Sequence, residues 1–204
     1  MSKRTNANAY FYWGLLFLCI QLLVVIRNIL SGYLTFFWYC DFTPGLFALF
    51  FFLKNEQAIK GILSIGLIGQ LTYSALLLYK IIFGISLFGY IFDFQNNFEL
   101  ISTLILHFAT LFVIIATYRV KVTYKSLIYS FTFLTILYLS VLLFTAPNYE
   151  INGNYNFIYY SDSLSPHLQY YTSLWIVLAF TLIVLPTYYL QMLLYWFSYG
   201  RKIN

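Results

Sequence analysis

The stretch LISTLILHFATLFVIIAT, Leu100–Thr117, decides the fold class. It contains no Asp, Glu, Lys or Arg, and apolar and polar residues do not alternate along it. Alternation is what a barrel strand needs, with one face to lipid and the other to a lumen. In hydrocarbon every backbone N–H and C=O must be paired within the protein, so helices or closed barrels are the only ways across. As a helix this stretch rises roughly 27 Å at 1.5 Å per residue, close to the thickness of a bilayer core. The stretch is a transmembrane helix, and it sets the reading of the rest.

Working outward, the whole chain has the same character. Of its 204 residues 62% are hydrophobic and 8% charged, with a mean hydropathy of +0.79. A soluble domain carries roughly 25% charged residues, so this chain could not cover a water-facing surface. The spacing of the apolar runs predicts an all-α polytopic membrane protein, one integral domain over residues 1–204. It is a compact bundle of six spans: about Tyr10–Ile29, Leu34–Leu53, Ala58–Tyr79, Phe98–Tyr118, Tyr124–Phe144 and Tyr170–Trp196. The first run follows Lys3 and Arg4 as a signal peptide would. It lacks a small-residue cleavage site and reaches Arg27, so it is read as a retained helix.

Charge placement sets the orientation. With the N-terminus in the cytoplasm, Lys3, Arg4, Lys54, Lys60, Arg119, Lys121, Lys125, Arg201 and Lys202 all lie inside, and only Arg27 and Lys80 outside. That bias is what the positive-inside rule predicts, and it puts both termini in the cytoplasm. It also accounts for the net charge of +5 without nucleic acid: the partners are membrane lipids, anionic ones at the inner face. The default location is a bacterial cytoplasmic membrane. The outer segment Lys80–Asn97, with Gly84 and Gly89, reads as interfacial or re-entrant, and Thr145–Gln169 as an outer cap rich in Asn, Tyr, Ser and Pro. Cys19 and Cys40 lie inside apolar runs and suggest no disulfide framework.

Ionisable side chains at membrane depth are costly, so each is a functional hypothesis. Arg27, Asp41, Glu99 and His107 qualify, and the topology puts them all in the outer half of the bilayer. Asp41 and Cys40 lie roughly 10 Å below the outer start of the second span and His107 roughly 13 Å below that of the fourth. Glu99, Thr103 and His107 are spaced i, i+4, i+8 and form one stripe; Gly66, Gln70 and Ser74 repeat the spacing on the third span. Pro44 removes an amide near Cys40 and Asp41 and kinks the second span. Each feature also has a plain reading. Arg27 can snorkel to headgroups, Arg27 and Asp41 can be a structural ion pair, and a lone His can be an interhelical hydrogen-bond partner.

A Cys and a His brought together make an activated thiolate, which is acyl-transfer chemistry. Here Cys40 is the candidate nucleophile and His107 the base, with Asp41, Gln70 and Arg27 orienting groups or stabilising charge. Arg27, Gln70, Glu99 and Thr103 are the candidate substrate-binding residues. A metal is the rival use of the same atoms. Zinc would need three or four ligands, only Cys40, Asp41, His107 and His167 are at hand, and there is no HExxH or CxxC; no metal and no cofactor is expected.

The residues Trp38-Tyr39-Cys40-Asp41-Phe42-Thr43-Pro44, Leu53-Lys54-Asn55 and Gly66-Leu67-Ile68-Gly69-Gln70, with His107 in a later apolar span, resemble the YwaF-like integral membrane proteins. Those are similar to a transmembrane acyltransferase family that remodels ether phospholipids. The resemblance covers Trp38–Ala116 and implies Cys40 as nucleophile and His107 as its partner. The family's His beside the Cys is replaced here by Trp38 and Tyr39, and its Asn after the Cys by Asp41. A second bacterial family with a C-N/D-x-T-P element fits the same stretch and implies no activity. Three functions stay open: a lipid acyltransferase, a transporter or channel for a small polar or ionic solute, and a non-catalytic assembly or lipid-binding subunit. Oligomeric state is not legible.

Overall fold

The computed structural model describes residues 3–31, 39–85, 94, 96–144, 150–151, 154–155 and 174–200. The described chain is helical apart from one two-residue antiparallel pairing, β1 (Glu150–Ile151) with β2 (Asn154–Tyr155). The helices are α1 (Lys3–Ser31), α2 (Tyr39–Phe52), α3 (Glu56–Phe83), α4 (Asn97–Thr117), α5 (Tyr124–Phe144) and α6, residues 174–200. Four stretches are long and apolar enough to cross a membrane: Asn8–Ser31, Glu56–Phe83, Asn97–Thr117 and Leu174–Ser198. Large apolar side chains point outward along the bundle, Leu30, Ile82, Leu143 and Trp196 among them. Contiguous apolar surface of this extent is matched by lipid and not by water.

The helix bounds follow the polar breaks. α5 begins and ends where the sequence puts the fifth span, and α4 is displaced by one residue at each end. α1 begins at Lys3, not Tyr10, because Thr5, Asn6 and Asn8 contain no breaker and the polar turn continues the helix. For the second span, residues 34–38 lie outside the described residues, as do most of Lys80–Asn97 and Thr145–Gln169.

A tight turn joins α2 to α3. α2 ends with Lys54 in the left-handed region, φ 53°. The Lys54 amide donates to the Phe51 carbonyl (3.0 Å) and the Asn55 amide to the Phe50 carbonyl (2.9 Å). This is the Schellman pattern that absorbs the last carbonyls of a helix. Asn55 then caps α3, its side chain accepting from the Ala58 amide at 3.1 Å. Asn96 does the same for α4 through the Glu99 amide, 2.9 Å. Gln57 splints the α4–α5 turn, accepting from the Thr123 amide and hydroxyl and donating to the Lys121 carbonyl.

α3 is the central element, packed by α2, α4, α5 and α6. It meets α5 closely at Gly61, where a Cβ would lie 2.6 Å from the Ser126 carbonyl oxygen; the Ser130 hydroxyl donates to the Gly61 carbonyl at 2.8 Å. Small residues at such crossings let membrane helices approach closely. α1 and α2 pack through Phe17, Phe47 and Phe51, all fully buried, with Phe17 stacked on Phe51 at 5.7 Å. In α6 a π-helical segment, Phe180–Val184, precedes Leu185–Gly200. Pro186 follows within two residues; it has no amide to give, and a widened turn accommodates the break.

Candidate functional site

Pro44 lies inside α2, so no amide is available there for the Cys40 carbonyl one turn back. At the next rung of the ladder a side chain from α1 engages both backbone groups. The Gln21 amide nitrogen donates to the Asp41 carbonyl (2.9 Å), and its oxygen accepts from the Gly45 amide (2.8 Å). Gln21 thus bonds, from the side, the donor and the acceptor of one i to i−4 rung of α2. The opened turn is the one that presents Cys40 and Asp41.

Arg27 and Asp41 form a buried ion pair, Nη2 to Oδ1, at 2.7 Å. Arg27 also donates to the Asn28 side-chain oxygen, from Nε (3.0 Å) and Nη2 (2.9 Å), and from Nη1 to the Thr103 hydroxyl (3.2 Å). Asn28 closes the ring by donating to Asp41 Oδ2 at 2.7 Å. Arg27 is 8% exposed and Asp41 2%, so the guanidinium is held in the bundle by a carboxylate and does not snorkel out. The Cys40 thiol approaches Asp41 Oδ1 at 3.6 Å. Both carboxylate oxygens are therefore engaged, and a charged group at this depth has the partners it needs.

Thr103 joins this network to His107. Its hydroxyl accepts from Arg27, while its carbonyl lies 2.8 Å from His107 Nδ1. A carbonyl can only accept, so in the neutral imidazole Nδ1 carries the proton and Nε2 keeps its lone pair. The ring stacks on Tyr73, centroids 4.0 Å apart and planes 14° apart. The group that orients the imidazole is thus the Thr103 carbonyl, while Asp41 holds Arg27, Asn28 and Cys40. Glu99, Thr103 and His107 are all buried on α4, as their common stripe implies.

Cys40, Gln70 and His107 line one cavity of about 240 Å³ with Tyr39 and Tyr73; Leu134, Leu137, Trp175, Ala179 and Ile183 form its apolar side. Gln70 is 4% exposed, and its side-chain oxygen has no hydrogen-bond partner among the described residues. Tyr39 reaches across to donate to the Ile62 carbonyl. Its ring occupies the space a Cβ on Gly66 would need, so glycine there is required by the close approach. The π-helical widening of α6 falls where Ala179 and Ile183 face the cavity. Among the described residues no group of three or more His, Cys, Asp or Glu could hold a metal ion; His167 lies outside them.

Sequence reading brings Arg27, Asp41, Thr103 and His107 to one place, and the structure joins them; it puts Cys40, Gln70 and His107 around one cavity. It misses Gln21, Asn28 and Tyr73. Asn28 carried a signal, an amide adjoining an arginine in an apolar run, whereas Tyr73 is one of 21 tyrosines with nothing to mark it. Set against known proteins, the chain matches no family model, no curated protein and no solved structure.

Proposed function

We propose that this is an integral membrane enzyme that moves a lipid acyl chain, with Cys40 as nucleophile and His107 as base. The observation that carries the reading is the cavity. It combines a thiol, an imidazole and a side-chain amide with an apolar side formed by Leu134, Leu137, Trp175, Ala179 and Ile183, a combination suited to an ester bearing a hydrocarbon chain. In this reading the chain crosses the membrane six times, α2 with the residues before it and the 21-residue α5 adding to the four long apolar helices. The basic ends face the cytoplasm of a bacterial cell, and the Arg27–Asp41 network lies in the outer half.

The chemistry is a two-step exchange. The Cys40 thiol gives its proton to His107 Nε2 as sulfur attacks the ester carbonyl. The carbonyl–oxygen bond of the donor lipid breaks, and the departing alcohol takes the proton from the imidazolium. A thioester is left on Cys40. The hydroxyl of a lysolipid then loses its proton to His107 and attacks the thioester, which regenerates the thiol and forms the new ester. In this reading the Gln70 amide, on the cavity lining, donates to the oxyanion of each tetrahedral intermediate. The Thr103 carbonyl keeps His107 in the productive tautomer. Asp41 and Arg27 are positioning residues, holding the opened turn of α2 against α1 and α4.

A transporter reading would need a polar path past the other half of the bundle. There Trp13, Phe17, Phe47 and Phe51 pack against one another, with Phe17, Phe47 and Phe51 fully buried, which favours a closed site. A non-catalytic lipid-binding role is supported by a different observation: Arg27, Asn28 and Asp41 satisfy one another. The deciding experiment uses the full chain in liposomes with a labelled diacyl phospholipid and a lysophospholipid acceptor. Transfer of label is expected, with a hydroxylamine-sensitive acyl mass on Cys40. Cys40→Ser and His107→Gln are expected to lose both while still binding lipid. Full transfer by a folded Cys40→Ser protein would refute the mechanism.

A further inference from the structure

A second cavity, about 440 Å³, lies at the opposite end of the bundle from the Arg27–Asp41 network. It forms where the start of α1, the end of α2, the start of α3 and the end of α4 converge. Tyr10 and Trp13 come from α1, Phe51 from α2, Glu56 from α3, and Tyr118 and Arg119 from the end of α4. Its size is within the usual range for small-molecule sites, roughly 300–1,000 Å³. The cavity has an apolar aromatic floor and carries opposite charges on its lining.

Glu56 acts on the buried Lys60 ammonium one turn along α3, and it makes no ion pair with Arg119. Among the described residues the ion pair found is Arg27–Asp41; none joins Glu56 to Arg119 although both line this space. The Tyr10 hydroxyl donates to Glu56 Oε1, which fixes the carboxylate at the cavity and leaves Oε2 without a hydrogen bond among the described residues. The Arg119 guanidinium lies over the Tyr118 ring, 5.1 Å from its centroid, and is exposed. In the sequence Glu56 is the one acidic residue among the basic residues of this end, Lys54, Lys60, Arg119, Lys121 and Lys125. Part of its role is structural, since an acid in the first turn of α3 complements the helix dipole and the buried Lys60 four residues on. That part does not call for a tyrosine tether or a pocket of aromatic rings.

We propose that this cavity is a headgroup site for a zwitterionic phospholipid, with Glu56, Tyr10 and Trp13 receiving the ammonium and Arg119 the phosphate. A carboxylate beside aromatic rings is the arrangement that recognises an alkylammonium. A guanidinium held over a ring is a donor fork for phosphate oxygens. The acyl chains leave past Ile115, which lines the cavity and is itself exposed on α4. The site is separate from the Cys40–His107 cavity, and its test measures binding alone, so it stands or falls apart from acyl transfer.

The surroundings give the test its force. A basic membrane face by itself gathers anionic lipid, so simple electrostatics predicts phosphatidylglycerol over phosphatidylethanolamine. The proposed site predicts the reverse. Full-length protein in detergent is titrated with equimolar dioleoyl phosphatidylethanolamine and dioleoyl phosphatidylglycerol, and the retained lipid is counted by native mass spectrometry. The wild type is expected to retain the ethanolamine lipid at least about threefold more tightly, the scale of one exposed cation–aromatic contact. Glu56→Gln keeps an acceptor for Tyr10 and removes the charge, and is expected to abolish that preference. Arg119→Gln is expected to weaken both lipids alike. On the wild type, N-acetylated phosphatidylethanolamine, whose nitrogen is uncharged, should lose the advantage, a result that needs no variant to fold. Preference for phosphatidylglycerol, equal retention, or an unchanged preference in Glu56→Gln or with the acetylated lipid would overturn the proposal.

Discussion

Replacing Asp41 with Asn keeps the side chain's shape and removes its charge. That leaves the Arg27 guanidinium in a site where it is 8% exposed. Breaking a buried ion pair from one side costs about 3–5 kcal/mol, because the remaining charge is uncompensated. Arg27 keeps its bonds to Asn28 and Thr103, and these soften the loss. The expected destabilisation is therefore at the lower end, about 3 kcal/mol. Arg27→Met should cost a similar amount, because Asp41 would retain Asn28 and the Cys40 thiol as its neighbours. With both changes neither charge of the pair remains, and the double variant should be only about 1 kcal/mol less stable than the parent, since replacement of a whole buried pair is often close to neutral. The assay is SDS-induced unfolding in mixed micelles, followed by circular dichroism across the four proteins of the cycle. Single losses that add to within about 0.5 kcal/mol would refute the reasoning, since that is the behaviour of independent sites. They would mean that each group finds water or headgroups when its partner is removed.

Further outcomes follow from the packing. Gln21→Leu removes both bonds to the α2 ladder and should cost about 1–3 kcal/mol, read as a lower SDS midpoint with faster amide exchange at Gly45. Gly61→Leu places a side chain where a Cβ alone meets the Ser126 carbonyl at 2.6 Å; the melting temperature should fall sharply as α3 and α5 separate, whereas the same change at Gly69, with open space around it, should have little effect. Lys54→Gly relieves a left-handed residue at φ 53° and should raise stability by roughly 0.5–1 kcal/mol in the same unfolding assay.

The elements the sequence discloses well are those whose ends are chemical. α5 begins after Lys121-Val122-Thr123, and α4 begins at an Asn cap, so hydropathy and polarity agree on where each helix turns. At the start of α1 the polar residues continue the helix, because nothing in Lys3–Asn8 breaks it. The charged part of the candidate site was legible for a similar reason: Arg27, Asp41 and His107 are conspicuous in apolar runs, and a shared depth implies a shared place. What stayed hidden was the detail of pairing. Spacing along α4 puts Thr103 and His107 on one face, yet only the folded geometry makes the Thr103 carbonyl the partner of the ring. Gln21 was invisible because its partners are backbone groups of another helix. The π-helical turn before Pro186 is likewise a response to a missing amide, and hydropathy does not register it.

The pairing of α1 with α2 also bears on how the chain enters a bilayer. Released alone into hydrocarbon, α2 would carry an uncompensated Asp41 carboxylate. α1 supplies its partner, Arg27, and adds the two Gln21 bonds to the Asp41 carbonyl and Gly45 amide. A carboxylate in α2 matched by a guanidinium in α1 makes these two helices cheaper to bury together than one at a time.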